Sequence, residues 1–314
     1  MSDLKQSNTY DIIIGMEELH KPVLLSEVVA GLNPRESETY LDLTAGYAGH
    51  ASKILAVTRN YKGATLVDRD ENAVNYLTKN LPGEVEIIHN DFYSATQLLI
   101  ECGKTFDMIL ADFGVSSPQL DNSERGFSFL KPGPLDMRMD ESQKLSASDI
   151  VNKWHPRELE KIFVEYGEES TGLAKKHARE IVEGRPWNDT LELANAIAFG
   201  KHVSKSKGTK WFGKHPATKV FQAIRIAVND ELGIIERTLP NLPKLLNPGG
   251  RVAIITFHSL EDRLVKKYFK DNSTLGEESE FELLTKSPIV AENLELVINP
   301  RARSAKLRVA KKRN

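Results

Sequence analysis

Between residues 39 and 112, four short apolar runs alternate with helix-length segments, and each run ends within two residues of an aspartate. The runs are Thr39–Leu43, Ala64–Asp68, Glu86–His89 and Phe106–Asp112; His50–Thr58 and Glu71–Lys79 are two of the helical segments between them. Parallel strands cannot be joined by a tight turn and need a crossover of about a dozen residues, usually a helix. The alternation therefore predicts a parallel sheet built from βαβ units. A further helix is expected over Leu25–Leu32, stopped by Asn33-Pro34.

The pattern changes after Asp112. Residues 113–140 are rich in turn residues, and helices are expected at Ala147–Trp154, Pro156–Tyr166, Gly172–Glu183 and Thr190–Ala198. One long helix is expected at Ala217–Leu239 and an apolar strand at Gly250–Thr256, after the Asn247-Pro248-Gly249-Gly250 turn. Phe281–Thr285 and Ala305–Val309 can close the sheet as a hairpin-like pair. The economical reading is an α/β domain interrupted by a mostly helical insert. Its expected parts are a loosely ordered leader over 1–19, the first part of the domain over 20–122, the insert over 123–215 and the remainder of the domain over 216–314.

Composition closes off other classes. Of 314 residues, 40% are hydrophobic and 27% charged, which suits a globular core and excludes collagen, coiled coil and disordered chain. No apolar run approaches the roughly 20 residues of a membrane helix, and Ile12-Ile13-Ile14 is too short for a signal peptide. Cys102 is the only cysteine, so an internal disulfide and a cysteine-built zinc site are excluded. Together these features predict a cytoplasmic protein without a metal.

Charge is unevenly placed. Fourteen of the 42 basic residues fall in two segments without an acid, Lys201–Arg225 and Arg301–Arg313. Clustered Lys and Arg, rather than overall pI, set affinity for phosphate, so both segments are candidates for contact with a polyanion. The alternative is a solvated loop and a frayed tail. Trp211 lies inside the first segment and could stack on an unpaired base. Trp154 and Trp187 are most simply packing anchors.

The first strand runs into Asp42-Leu43-Thr44-Ala45-Gly46-Tyr47-Ala48-Gly49-His50. A glycine turn between a strand and a helix lets a ligand approach the backbone and meet helix N-terminal amides, although a plain tight turn would read the same. Asp42 beside it suits a cationic ligand such as the amino-acid end of S-adenosylmethionine. Asp68, about 20 residues past the turn, is placed to accept two ribose hydroxyls, and Asp70 to cap the next helix. In Asn90-Asp91-Phe92 the carboxylate could reach an adenine amine and the aromatic could cover the ring, or Phe92 could be core. Asp112 closes strand four, facing the crevice where doubly wound sheets bind ligands. A hydrogen-bond acceptor there would draw on the N–H of an exocyclic amine and make its nitrogen more nucleophilic. Asp112-x-x-x-Ser116-Ser117-Pro118 is loosely similar to the acid-Pro-Pro-aromatic motif of amine methyltransferases. His258-Ser259 with Glu261 and Asp262 has the letters of a nucleophilic triad without its G-x-S-x-G elbow.

Longer blocks carry a family resemblance: His20-Lys-Pro-Val-Leu-Leu25, the Asp42–His50 turn, Val67–Asp70, Leu110–Leu120, Glu124–Phe129 and Gly133–Asp140. Tyr166–Glu169, His215–Thr218, Phe221–Leu232, Thr256–Arg263 and Asn299–Arg308 continue it. The chain resembles the RsmH (MraW) family over residues 20 to 310. The resemblance implies a class I, Rossmann-like methyltransferase sheet with an inserted helical substrate domain. It implies S-adenosylmethionine-dependent N4-methylation of a cytidine in 16S rRNA, with that rRNA or the small ribosomal subunit as partner. The family's cofactor contacts fall on Ala48, Gly49, His50, Asp68, Phe92, Asp112 and Gln119, to which the turn adds Gly46. Asp112 is expected either to accept the amine proton or to orient the cofactor. RNA contacts are expected from Lys201, Lys205, Lys207, Lys210, Trp211, Lys214, Arg301 and Arg303.

The sequence departs from the family in two places. Ala48 stands where the family turn has its second glycine, and the segment after Lys270 is short. The alanine leaves open a non-catalytic, rRNA-binding assembly factor with a degenerate cofactor site. An enzyme acting on a DNA or small-molecule amine is a further alternative, and the basic segments argue against a small molecule.

Overall fold

A computed structural model describes residues 21–199, 215–273 and 279–313. The chain divides into two compact units, Met1–Gly114 with Leu232–Asn314, and Val115–Glu231.

The first unit carries α1 (Leu25–Leu32), β1 (Tyr40–Asp42), α2 (Gly49–Thr58), β2 (Ala64–Asp68), α3 (Glu71–Asn80), β3 (Glu86–His89), α4 (Phe92–Glu101) and β4 (Phe106–Asp112). Its seven strands lie in the order β3-β2-β1-β4-β5-β7-β6, with β5 spanning Leu246–Thr256, β6 Phe281–Leu283 and β7 Lys306–Lys312. Strands β1 to β5 are parallel, and β7 runs antiparallel to both β5 and β6. Successive side chains point to opposite sides of the sheet, and in its central strands both faces are buried. Tyr40, Leu66, Leu110 and Ile255 enter one core with Val28, Ile54 and Leu55 of α1 and α2. Leu41, Val67, Ile109 and Ile254 enter the other with Ala95 and Leu99 of α4. Strand order reverses between β1 and β4, so the crevice for a ligand opens at their carboxyl ends.

The second unit packs α6 (Ala147–Lys153), α7 (Pro156–Glu165), α8 (Thr171–Gly184), α9 (Thr190–Phe199) and α10 (Ala217–Asn229) after a short α5 (Ser117–Asp121). Their apolar faces meet around Phe163, Ile181, Leu193, Ile224 and the 2% exposed Trp187. Trp154 packs on the edge of that cluster. Pro156 occupies the first turn of α7, where its missing N–H costs nothing.

Three expectations need correction. The helix expected over 217–239 is broken at Asp230, which sits in the left-handed region at φ 49°, and resumes as α11 (Glu231–Thr238). A short α12 (Leu242–Leu245) then leads into β5. Asp tolerates the left-handed conformation, and Asn229 just before it is tied to residues 137 and 139 rather than to a continuing helix. The Asn247–Gly250 turn lies inside β5, as an irregularity where the register with β4 shifts between Phe106 and Met108. The closing pair is also redistributed: β6 stops at Leu283, while β7 extends to Lys312. Most of the last basic segment, from Lys306 to Lys312, is consequently built into the sheet. Arg308, 8% exposed, and Lys306 both donate to Asp262 in α13 (Ser259–Asp271).

Candidate active site

The turn after β1 combines two left-handed residues, Gly46 at φ 51° and Ala48 at φ 62°. A Cβ on Gly46 would meet nothing within 4 Å, so backbone conformation, not space, calls for glycine there. Ala48 adopts the same region with its Cβ in place, whereas alanine replaces glycine without strain only at a negative φ. Its methyl is fully buried in the core on the α2 side of the sheet. Ala48 immediately precedes α2, which begins with Gly49 and His50.

Asp68 closes β2, and its carboxylate is clamped by backbone donors. Gly46 N–H reaches Oδ2 at 2.7 Å and Asp70 N–H reaches Oδ1 at 2.8 Å. Burial raises its pKa to about 6 against the opposing pull of those amides. Asp70 caps α3 through Asn72 N–H, as its position predicts.

Asp112 closes β4. Its N–H donates to Thr44 Oγ1 at 2.6 Å, and its Oδ2 lies 3.7 Å from Nδ1 of His50. Oδ1 is buried and has no hydrogen-bond partner among the described residues. Burial first, then the charges of Asp42 and Glu261, push its carboxyl well above the usual carboxylate range. The other ring nitrogen of His50, Nε2, lies 2.9 Å from the carbonyl of Val23, which fixes the ring. Phe92 opens α4, with its ring centroid 5.2 Å from that of Phe113.

Two carboxylates have other duties than expected. Asp42, 1% exposed, accepts from the Tyr40 hydroxyl at 2.7 Å and from Thr44 N–H at 3.1 Å, so it lies beneath the turn rather than open to a cationic ligand. Asp91 caps α4, accepting from the N–H groups of Tyr93 and Ser94 and from the Ser94 hydroxyl. Sequence reasoning missed Tyr40 and Thr44; a tyrosine two residues before a strand-end acid, on the same side of the strand, was the available signal.

Gly46, Ala48, Gly49, His50, Asp68, Phe92 and Asp112 thus belong to the first unit, at the carboxyl ends of β1, β2 and β4 and the starts of α2 and α4. Gln119 belongs to the second unit, in α5, where its Oε1 accepts from Ser116 N–H at 3.0 Å. Lys201, Lys205, Lys207, Lys210, Trp211 and Lys214 lie outside the described residues, as does the leader. Arg301 and Arg303 sit in a 3-10 turn, Pro300–Ser304, with Arg303 exposed. His258 and Glu261 form a reciprocal cap on α13, and Asp262 is engaged by Lys306 and Arg308, so the triad letters are structural. A cavity of about 430 Å³ lies elsewhere in the first unit, between α1, the start of α2 and α14 (Asn293–Ile298), and shares only Gly49 with this set.

A family model described as the MraW methylase family matches residues 17–313. "Ribosomal RNA small subunit methyltransferase H" of Trichormus variabilis is 48% identical over 297 residues, covering 94% of this chain and 92% of that one. The protein of the same name from Synechocystis is 44% identical over 304 residues, covering 93% of each. Among solved structures, an rRNA methylase from Streptococcus thermophilus aligns at TM-score 0.38 and 11% identity, covering 93% of each chain. On the family model and these sequence identities, the chain belongs to the MraW methylase family.

Proposed function

We propose that this protein transfers a methyl group from S-adenosylmethionine to N4 of a cytidine in 16S rRNA of the small ribosomal subunit. The relatives' names support the rRNA substrate. The observation that carries the reading is Asp112, a carboxylate at the switch point of the sheet with a buried oxygen that no described residue engages. An unpaired buried acceptor is costly, so a ligand that donates to it is favoured. The cofactor supplies an electrophilic methyl on a sulfonium, and the chain supplies position and charge.

Asp68, held by backbone amides, offers its remaining acceptor capacity to the ribose hydroxyls. Phe92 covers the adenine, and the Gly46–His50 turn seats the methionine moiety. Gln119 is assigned to the cofactor by family position alone. Asp112 accepts a hydrogen bond from the target amine and orients its nitrogen. Lys201, Lys205, Lys207, Lys210 and Lys214, with Trp211, Arg301 and Arg303, contact the RNA.

The test incubates the purified protein and tritiated S-adenosylmethionine with unmodified small subunits, wild type beside Asp112→Ala. Label recovered as N4-methylcytidine and lost in the variant is the expected result. Cofactor binding or RNA binding without transfer would overturn the reading, and RNA binding alone would favour the assembly factor. Neutralising the five lysines of 201–214 should weaken RNA binding and flatten its salt dependence by several units of slope, roughly one for each phosphate no longer paired with a lysine. Unchanged affinity would remove that segment from the interface.

A further inference from the structure

Three hydrogen bonds link the buried floor of the sheet to Asp112. The hydroxyl of Tyr40, whose side chain is fully buried, donates to Asp42 Oδ2; Thr44 N–H donates to Asp42 Oδ1; and Asp112 N–H donates to Thr44 Oγ1. The backbone ladder between β1 and β4 ends one step earlier, where Leu43 N–H meets the Leu110 carbonyl at 2.9 Å. Beyond that point, among the described residues, only the threonine hydroxyl holds the Asp112 amide on the β1 side, while Phe113 N–H bonds Ile255 on the β5 side. A residue that must present its side chain at a fixed place therefore has its backbone held from both neighbouring strands.

The charge of Asp42 also needs a reason. An asparagine could accept from Thr44 N–H without the cost of burying a carboxylate, and a phenylalanine could fill the space of Tyr40. The Tyr40 hydroxyl has its use only because Asp42 is there. Once ionised, as pH rises through about 7, Asp42 places a buried charge that acts on what lies above it.

We propose that Thr44 and Asp42 are positioning residues for the methyl transfer, Thr44 by fixing the Asp112 backbone and Asp42 by a buried charge that makes the Asp112 carboxylate a stronger proton acceptor. This rests on the reading of Asp112 as acceptor. As the N4–methyl bond forms and the methyl–sulfur bond breaks, the proton leaving N4 passes to the Asp112 carboxylate and then to water. The other groups facing Asp112 are His50 from α2, Glu261 from α13 and Tyr40 from β1. After burial itself, Asp42 is the largest cause raising the Asp112 carboxyl, ahead of Glu261.

The variants are Asp42→Asn, Thr44→Val and Thr44→Ser. In the protein without cofactor, the Asp112 carboxyl is titrated by 13C NMR, with Asp112→Asn to assign its signal. Asp42→Asn should lower that titration by about one pH unit. In turnover, the acid limb of kcat against pH should move down with it. Thr44→Val should lower kcat about 10- to 100-fold with cofactor affinity by calorimetry little changed, and Thr44→Ser should restore it. An unmoved Asp112 titration in Asp42→Asn, or a Thr44→Val enzyme as fast as wild type, would overturn the proposal. So would a loss of cofactor affinity in place of kcat. If Asp42→Asn fails to fold, the Thr44 pair still decides. Absence of transfer by the wild-type protein would instead count against the proposed function, while the NMR titration would still report on the coupling.

Discussion

Gly46 N–H donates to Asp68 Oδ2 across 2.7 Å, joining the turn after β1 to the acid that ends β2. The two motifs are thus one rigid piece of the candidate site: the turn's left-handed residue presents the amide that holds the acid. With Asp70 N–H on the other oxygen, the carboxylate is oriented before any ligand arrives.

Replacing Asp68 by alanine removes both that anchor and the ribose acceptor. Hydrogen bonds to a charged group contribute about 1.5–3 kcal/mol each, so cofactor affinity should fall about 10- to 100-fold or more. Calorimetric titration with S-adenosylmethionine measures this directly. An affinity within twofold of wild type would mean that Asp68 serves only the turn.

Ala48 tests whether the turn is compromised by lacking its second glycine. A left-handed alanine costs about 1–2 kcal/mol, whereas its buried methyl contributes about 0.8 kcal/mol. Ala48→Gly should therefore leave stability nearly unchanged or raise it by under about 1 kcal/mol in urea unfolding. Because the methyl faces the core, cofactor affinity should hardly move. A tenfold gain in affinity would instead mean that the alanine crowds the methionine end.

Much of the first unit was legible because its signals are local. Strand and helix lengths, Pro34 after Asn33 and the Asp70 cap need only a few neighbouring residues to be read. The roles of the acids were harder, since Asp42, Asp68, Asp91 and Asp112 look alike in sequence. What separates them is a phenol below Asp42, helix amides around Asp91, and a threonine 68 residues away from Asp112. The break at Asp230 was hidden for a similar reason: helical periodicity continues across it, while the competing contacts of Asn229 come from 90 and 92 residues upstream.

Burial pushes Asp42 up to about 7, against the hydrogen bonds from Tyr40 and Thr44 that favour its charged form. A carboxyl whose pKa is raised on folding binds its proton more tightly folded than unfolded. Its stabilising contribution is complete below the unfolded value near 3.8 and is lost as pH rises through about 7. Asp42→Asn removes that titration, so the variant should gain on wild type between pH 5 and pH 8, by on the order of 1–3 kcal/mol. Urea unfolding at each pH gives both curves. Parallel curves would show that Asp42 does not titrate in this range.

Asn229, 2% exposed at the end of α10, accepts from Met139 N–H at 2.9 Å and donates to the carbonyls of Met137 at 2.8 Å and Arg225 at 2.9 Å. One side chain therefore fastens the 137–139 loop to the helix and supports the break that follows. Alanine would leave the amide and the carbonyl without these partners in a buried place, at a cost of about 2–4 kcal/mol. Aspartate keeps the acceptor but loses the donor and buries a charge, so it should be no better than alanine. Both variants should lower the urea midpoint, with hydrogen exchange rising first at the Met139 amide. A loss below about 0.5 kcal/mol in either would mean that water or a neighbouring group readily replaces the asparagine.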